Sequence, residues 1–159
     1  MEDHAKSAHH EVGSKPYMML AVNLGLSLLV MYVAMFAMIW SWGEFIQNVN
    51  FFYMALVMWA PMGAIMLATM GGMYRNRSLN AALYLAFAAI FVLSLLGIRQ
   101  QSLVGDDQFL RSMIPHHSGA ILMCREAQLA DPQIIALCRR IERSQRAEID
   151  EMRAILARR

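Results

Sequence analysis

Three long stretches of this chain carry no charged side chain: Pro16–Gly43, Phe45–Tyr74 and Ser78–Ile98. A hydrocarbon layer roughly 30 Å thick takes about 20 apolar residues to cross, at about 1.5 Å per helical residue. Each stretch is long enough. Within lipid a lone segment satisfies its own backbone hydrogen bonds only as a helix. The pattern therefore predicts three transmembrane helices, near Met18–Trp42, Phe51–Met70 and Leu79–Ile98. The chain as a whole is 58% hydrophobic and 16% charged, against about 45–50% and about 25% in ordinary soluble domains. That excludes a single water-soluble globule and a disordered chain. A net charge of +2 gives no reason to expect nucleic acid as a partner.

The segments between the spans set the expected orientation. Lys6 and Lys15 precede the first span, Arg75 and Arg77 lie between the second and third, and the first loop holds only Glu44. Positive loops stay in the cytoplasm, so the N-terminus and second loop are expected inside. The first loop and the C-terminal tail are expected outside, which in a bacterium is the periplasmic face of the inner membrane. The first span is too long for a secretory h-region and reads as an uncleaved signal anchor. Tyr17, Trp40, Trp42, Phe51, Phe52, Tyr53, Tyr74 and Tyr84 fall near the span ends, as interface anchors do. Pro61 is expected to kink the second span.

The chain divides into a polar arm (1–17), a three-helix membrane region (18–98) and a tail (99–159). In the tail, apolar residues recur at helical spacing from Phe109 through Met113, Ala120 and Met123 to Ala127, with Asp106 expected as the N-cap. Asp131-Pro132 then pairs a capping residue with a proline at the first helical position. A second helical pattern runs from Ile135 through Ile141 and Ile149 to Leu156. The fold class is all-α: three membrane helices followed by an antiparallel two-helix hairpin with its tip near Asp131. So small a hairpin needs to pair with another copy, with the spans or with a partner, and a homo-oligomer is expected. Two copies would make a four-helix bundle, where metal sites form between facing helices.

Chemistry concentrates in Met113-Ile114-Pro115-His116-His117. On a helix Met113 neighbours both histidines. Folding the hairpin about Asp131 sets Met113 level with Ile149, His117 level with Gln145, Cys124 level with Cys138, and Met152 within a turn of Met113. One layer then collects thioether, imidazole and the Glu148 carboxylate. That donor set suits copper(I) or silver ion rather than the oxygen-seeking cations. The plainer reading is that the methionines fill gaps in an apolar face and the histidines are ordinary core or surface groups.

These residues resemble a family. Phe109, Met113-Ile114, His116-His117, Ala120-Ile121 and Met123, followed by Ile141, Gln145, Glu148-Ile149 and Met152, are similar to the signature of the domain-of-unknown-function 305 family. The resemblance covers roughly 107–156. It implies a ferritin-like helical fold, of which this hairpin is half a four-helix bundle. It further implies copper or silver handling by Met113, His116, His117, Met123 and Met152. Soluble members often carry the motif twice. This chain carries it once, which supports pairing between copies. It also departs from the family in having Cys124 where a small residue is usual, and Ile155-Leu156 in place of Trp-Leu.

Other features have weaker claims. Cys124 and Cys138 have three readings: reduced core cysteines, a disulfide, or thiolate ligands. The structural ones are preferred, since a bond closing a loop of about 15 residues adds roughly 3 kcal/mol. Met54, Met58, Met62, Met66 and Met70 recur every four residues and form a slowly turning stripe, read as packing ahead of a thioether ladder. His4, His9 and His10, with Asp3 and Glu11, read as a solvated arm ahead of a weak metal site. Arg139, Arg140, Arg143 and Arg146 read as a wet helix face. No nucleophile–base constellation or phosphate loop is present, so catalysis is not expected. The expected function is copper(I) or silver binding by an exported hairpin, for tolerance, storage or delivery. The alternatives are a non-catalytic assembly protein in which Met and His are structural, and a thiol-redox protein using the two cysteines.

Overall fold

The computed structural model describes the backbone of residues 2–159 and the side chains of residues 15–159. The His4, His9 and His10 side chains therefore lie outside the described residues. The elements are α1 (Glu2–Ala34), a short 3-10 helix (Trp42–Glu44), α2 (Val49–Thr69), α3 (Arg77–Gln100), α4 (Asp106–Glu126) and α5 (Pro132–Leu156). Among the described residues there is no strand. Three segments are long and apolar enough to cross a membrane: Lys15–Ala34, Val49–Thr69 and Arg77–Gln100.

The first span ends sooner than hydropathy predicts. The sequence carries the apolar run on to Trp42, but α1 stops at Ala34 and the chain turns through residues 35–38. Hydropathy cannot distinguish burial in lipid from burial in protein, and here Phe36 is buried and Trp40 half-buried by protein. The helix N-cap of α4 is also corrected. Gly105 holds that position, and Asp106 and Asp107 lie in the first turn. There they accept from the Arg159 guanidinium at 2.6 and 3.0 Å. Pro61 and Pro115 both sit inside helices that continue past them.

The chain forms two compact units. The first comprises Met1–Tyr32 and Tyr53–Gln100. Its core gathers Leu20, Leu24, Ala60, Leu67, Tyr74 and Phe87, with Met62 and Met66 packed against it. Gly63 brings α2 close to α3, because a Cβ there would stand 2.7 Å from the Phe87 ring. The Trp59 indole N–H donates to the Leu24 carbonyl at 2.7 Å. The Tyr17 hydroxyl donates to Asn80 at 2.8 Å and accepts the Asn76 amide at 3.1 Å. Asn76 in turn caps α3 by accepting the Leu79 amide at 3.0 Å. Large side chains such as Leu85 and Leu93 point outward, as suits a lipid surround. The methionine stripe divides: Met62 and Met66 pack inward, while Met54, Met58 and Met70 are exposed.

The second unit comprises Val33–Phe52 and Gln101–Arg159. It holds the expected antiparallel hairpin, with the first loop folded onto it. Asp131 caps α5 by accepting the Gln133 amide at 2.7 Å, and Pro132 opens the helix. Ile114 and Ile121 of α4 bury against Ile149 and Met152 of α5. Trp40 and Ile46 of the first loop pack on the same core. Phe36 stacks on Phe45 and meets Phe51 edge-on, at 4.1 and 4.9 Å between centroids. The small hairpin thus gains part of its missing core from its own chain.

Candidate metal centre

Part of the motif lies on the face of α4 that turns inward. Ser112, Ile114, Pro115, His117, Ser118, Gly119 and Ile121 are buried. Pro115 has no N–H to give to the Arg111 carbonyl, yet the helix holds because its flanks are packed.

His117 is the centre of the arrangement. Its Nδ1 lies 2.8 Å from the Met113 carbonyl oxygen one turn back. Its Nε2 lies 2.8 Å from Oε2 of Glu148 on α5. The other oxygen, Oε1, accepts the Ser144 hydroxyl at 2.6 Å. Ser144 first, and His117 second, hold the Glu148 carboxyl below its ordinary value, so the group is an anion at neutral pH. A carbonyl and a carboxylate can only accept. The imidazole is therefore satisfied in two ways: with protons on both nitrogens, or with a cation in place of the Nε2 proton. In the second case the Met113 carbonyl fixes the tautomer by holding Nδ1–H, as outer-sphere partners of metal-bound histidines commonly do.

The five residues singled out by sequence separate into two groups. Met152 is buried in the second core, Met113 packs against that core, and His117 is buried one turn along from Met113. These three, with Glu148, occupy one stretch of the hairpin. His116 is exposed, its ring 6.2 Å from that of His117, and Met123 is 54% exposed. Among the described residues, no three His, Cys, Asp or Glu side chains converge on a point.

Sequence reasoning missed a buried polar knot beside this site. Glu44, the single charge of the first loop, is buried. It accepts the Ser118 hydroxyl and, at 3.1 Å, the Ser41 amide. The Ser118 oxygen accepts the Trp40 amide at 2.6 Å. Arg153 of α5 approaches Glu44 at 3.8 Å and donates to the Gly43 carbonyl at 3.1 Å. One carboxylate thus ties the first loop to both hairpin helices. The available signal was an isolated glutamate within a long uncharged stretch, which needs partners if buried. Its partner Ser118 directly follows His117, so the knot also fixes the turn of helix that carries the imidazole.

At the hairpin tip Cys124 and Cys138 form a disulfide, with Cα atoms 5.2 Å apart. This selects one of the three readings left open by sequence. Nearby, Arg125 pairs with Glu142 across the helices and lies over the Trp40 ring at 4.4 Å.

A family model described as "Domain of unknown function (DUF305)" matches residues 93–156. "Uncharacterized protein L153" of Acanthamoeba polyphaga mimivirus is 33% identical over 118 residues, covering 73% of this chain and 76% of that protein. That alignment is longer than the family segment, so it extends into the apolar helices before it. No solved structure matches the chain. The likeness over most of both chains, with the motif and hairpin where the model matches, means that the chain belongs to the family described as domain of unknown function DUF305.

Proposed function

We propose that this is an integral membrane protein that binds copper(I) or silver ions through its hairpin, for tolerance, storage or delivery. Binding, and not catalysis, is its role. The observation that carries the reading is the His117 imidazole, anchored through Nδ1 by a backbone carbonyl and presenting Nε2 to an anionic carboxylate. Thioethers at Met113 and Met152 lie in the adjoining core. Sulfur and ring nitrogen favour a soft monovalent ion, and Glu148 balances its charge. His116 and Met123 are exposed, and in this reading they pass the ion on or meet a second copy. An odd number of spans brings the first loop and the tail out on the same side, which fits their joining in one compact unit. The Lys and Arg of the N-terminus and second loop support an orientation with that side at the cell exterior, the periplasm in a bacterium.

The test is a titration of the full chain in detergent with copper(I), against a competing chelator. Wild-type protein should retain copper that the Met113→Leu/His117→Ala double variant loses, by at least about tenfold in affinity. Equal affinity refutes the proposal. The competing reading, an assembly module, is favoured by the fact that both His117 nitrogens already have partners. It predicts a thermal midpoint that follows protein concentration and ignores copper(I). A bound ion instead raises the midpoint.

A further inference from the structure

The disulfide lies outside the His117 site and has no part in it. Cys124 and Cys138 are only half-buried and form one wall of a cavity of about 290 Å³, shared with Ala127, Leu129, Ile135, Arg139 and Glu142. The two Cα atoms stand 5.2 Å apart, and contacts that do not involve sulfur also join the helices here. Arg125, next to Cys124, bridges to Glu142, one turn beyond Cys138. The turn itself is fixed by Ala127 N–H donating to the Met123 carbonyl at 3.2 Å, Leu129 N–H to the Ala127 carbonyl at 3.0 Å, and Gln133 N–H to Asp131 at 2.7 Å. None of these contacts depends on the sulfur–sulfur bond, and the two cysteines line an open cavity.

We propose that Cys124 and Cys138 are a second, redox-gated site for a soft monovalent cation, ligated by two thiolates. A dithiol reductant opens it. The sulfur–sulfur bond of the chain breaks, a new one forms in the reductant, and two electrons and two protons pass to Cys124 and Cys138. Both thiols then lose their protons as the ion binds. A cation held by two thiolates carries one net negative charge. Arg139 lines the cavity and supplies a positive charge to offset it, while the Glu142 carboxylate on the same wall is paired with Arg125. Thiolate is a softer donor than thioether and selects copper(I) and silver strongly. A χ1 rotation at either cysteine makes the gap the ion occupies. The oxidised hairpin cannot bind there, so this site loads only under reducing conditions. The proposal stands on different residues from the Met/His reading and does not require it.

The experiment uses the full chain in detergent, oxidised or reduced with dithiothreitol that is then removed without air. Copper(I) is titrated against a chromogenic copper(I) chelator while thiolate-to-copper charge-transfer absorption and helical circular dichroism are followed. The reduced chain should take one more equivalent than the oxidised chain, with that absorption and unchanged helicity. The Cys124→Ser/Cys138→Ser variant should lack the extra equivalent under both conditions, and Met113→Leu/His117→Ala should keep it. Equal stoichiometry in both redox states overturns the proposal. So does an extra equivalent that survives loss of both cysteines. Loss of helicity on reduction refutes the claim that the contacts between the helices hold without the bond. Loss of copper in Met113→Leu/His117→Ala with the thiolate band intact would support this proposal, whereas failure of the thiolate band alone leaves the Met/His site standing.

Discussion

Replacing Ser118 by Ala removes a single oxygen from a position that is 0% exposed. That oxygen serves two partners, donating to Glu44 and accepting the Trp40 amide at 2.6 Å. The alanine leaves the Trp40 N–H and one lobe of a buried carboxylate unpaired. Each such orphan costs about 1–3 kcal/mol. Glu44 keeps the Ser41 amide at 3.1 Å and Arg153 at 3.8 Å, which softens the second cost, so the expected total is about 2–4 kcal/mol. The loss should be local. Hydrogen exchange in detergent should quicken for amides around Trp40 and Ser41 by roughly 30- to 700-fold, since about 1.4 kcal/mol is tenfold. Amides in the middle of α2 and α3 should change little. A double-mutant cycle with Glu44→Ala isolates the contact, and the double variant should cost less than the sum of the singles by about 1 kcal/mol or more. A change under about 0.5 kcal/mol, or faster exchange spread equally over α3, would refute the view that this knot holds the first loop to the hairpin.

Three further outcomes follow from the same structure. Cys124→Ser/Cys138→Ser should lower the unfolding free energy of the second unit by about 3 kcal/mol, the loop-closure value for a separation near 14 residues, read as a lower thermal midpoint with the same helicity at 25 °C. The Glu148 carboxyl has a lowered folded-state value, so its contribution is complete above the ordinary carboxylate range and disappears as pH falls through that lower value. Acid unfolding curves of wild type and Glu148→Gln should therefore differ at neutral pH and converge in strong acid, and parallel curves throughout would contradict the His117–Glu148 pairing. Gly63→Val should destabilise the first unit by about 1–3 kcal/mol through overpacking against Phe87, measured by denaturant unfolding in mixed micelles, whereas Gly25→Ala, which meets nothing within 4 Å, should be close to neutral in packing.

What the residues determine by themselves is whatever depends on local composition and spacing. Long uncharged runs specify helices long enough for a bilayer, because exposed backbone is intolerable there. Asp131-Pro132 specifies the hairpin break, because capping and a fixed φ act within one turn. The equal distance of Cys124 and Cys138 from that break brings them level, and the structure joins them. Tertiary structure decided whatever depends on which surface each apolar residue meets. Residues 35–42 continue the uncharged run of the span, yet Trp40 packs on the hairpin core and Phe36 on Phe45 and Phe51, since hydrophobicity fixes burial but not the solvent or neighbour that provides it. The Glu44–Ser118 contact joins residues 74 apart in sequence, and no periodicity encodes so distant a pair. His117 meets Glu148 instead of the level Gln145, because helix packing, and not counting from the tip, sets which side chains face each other.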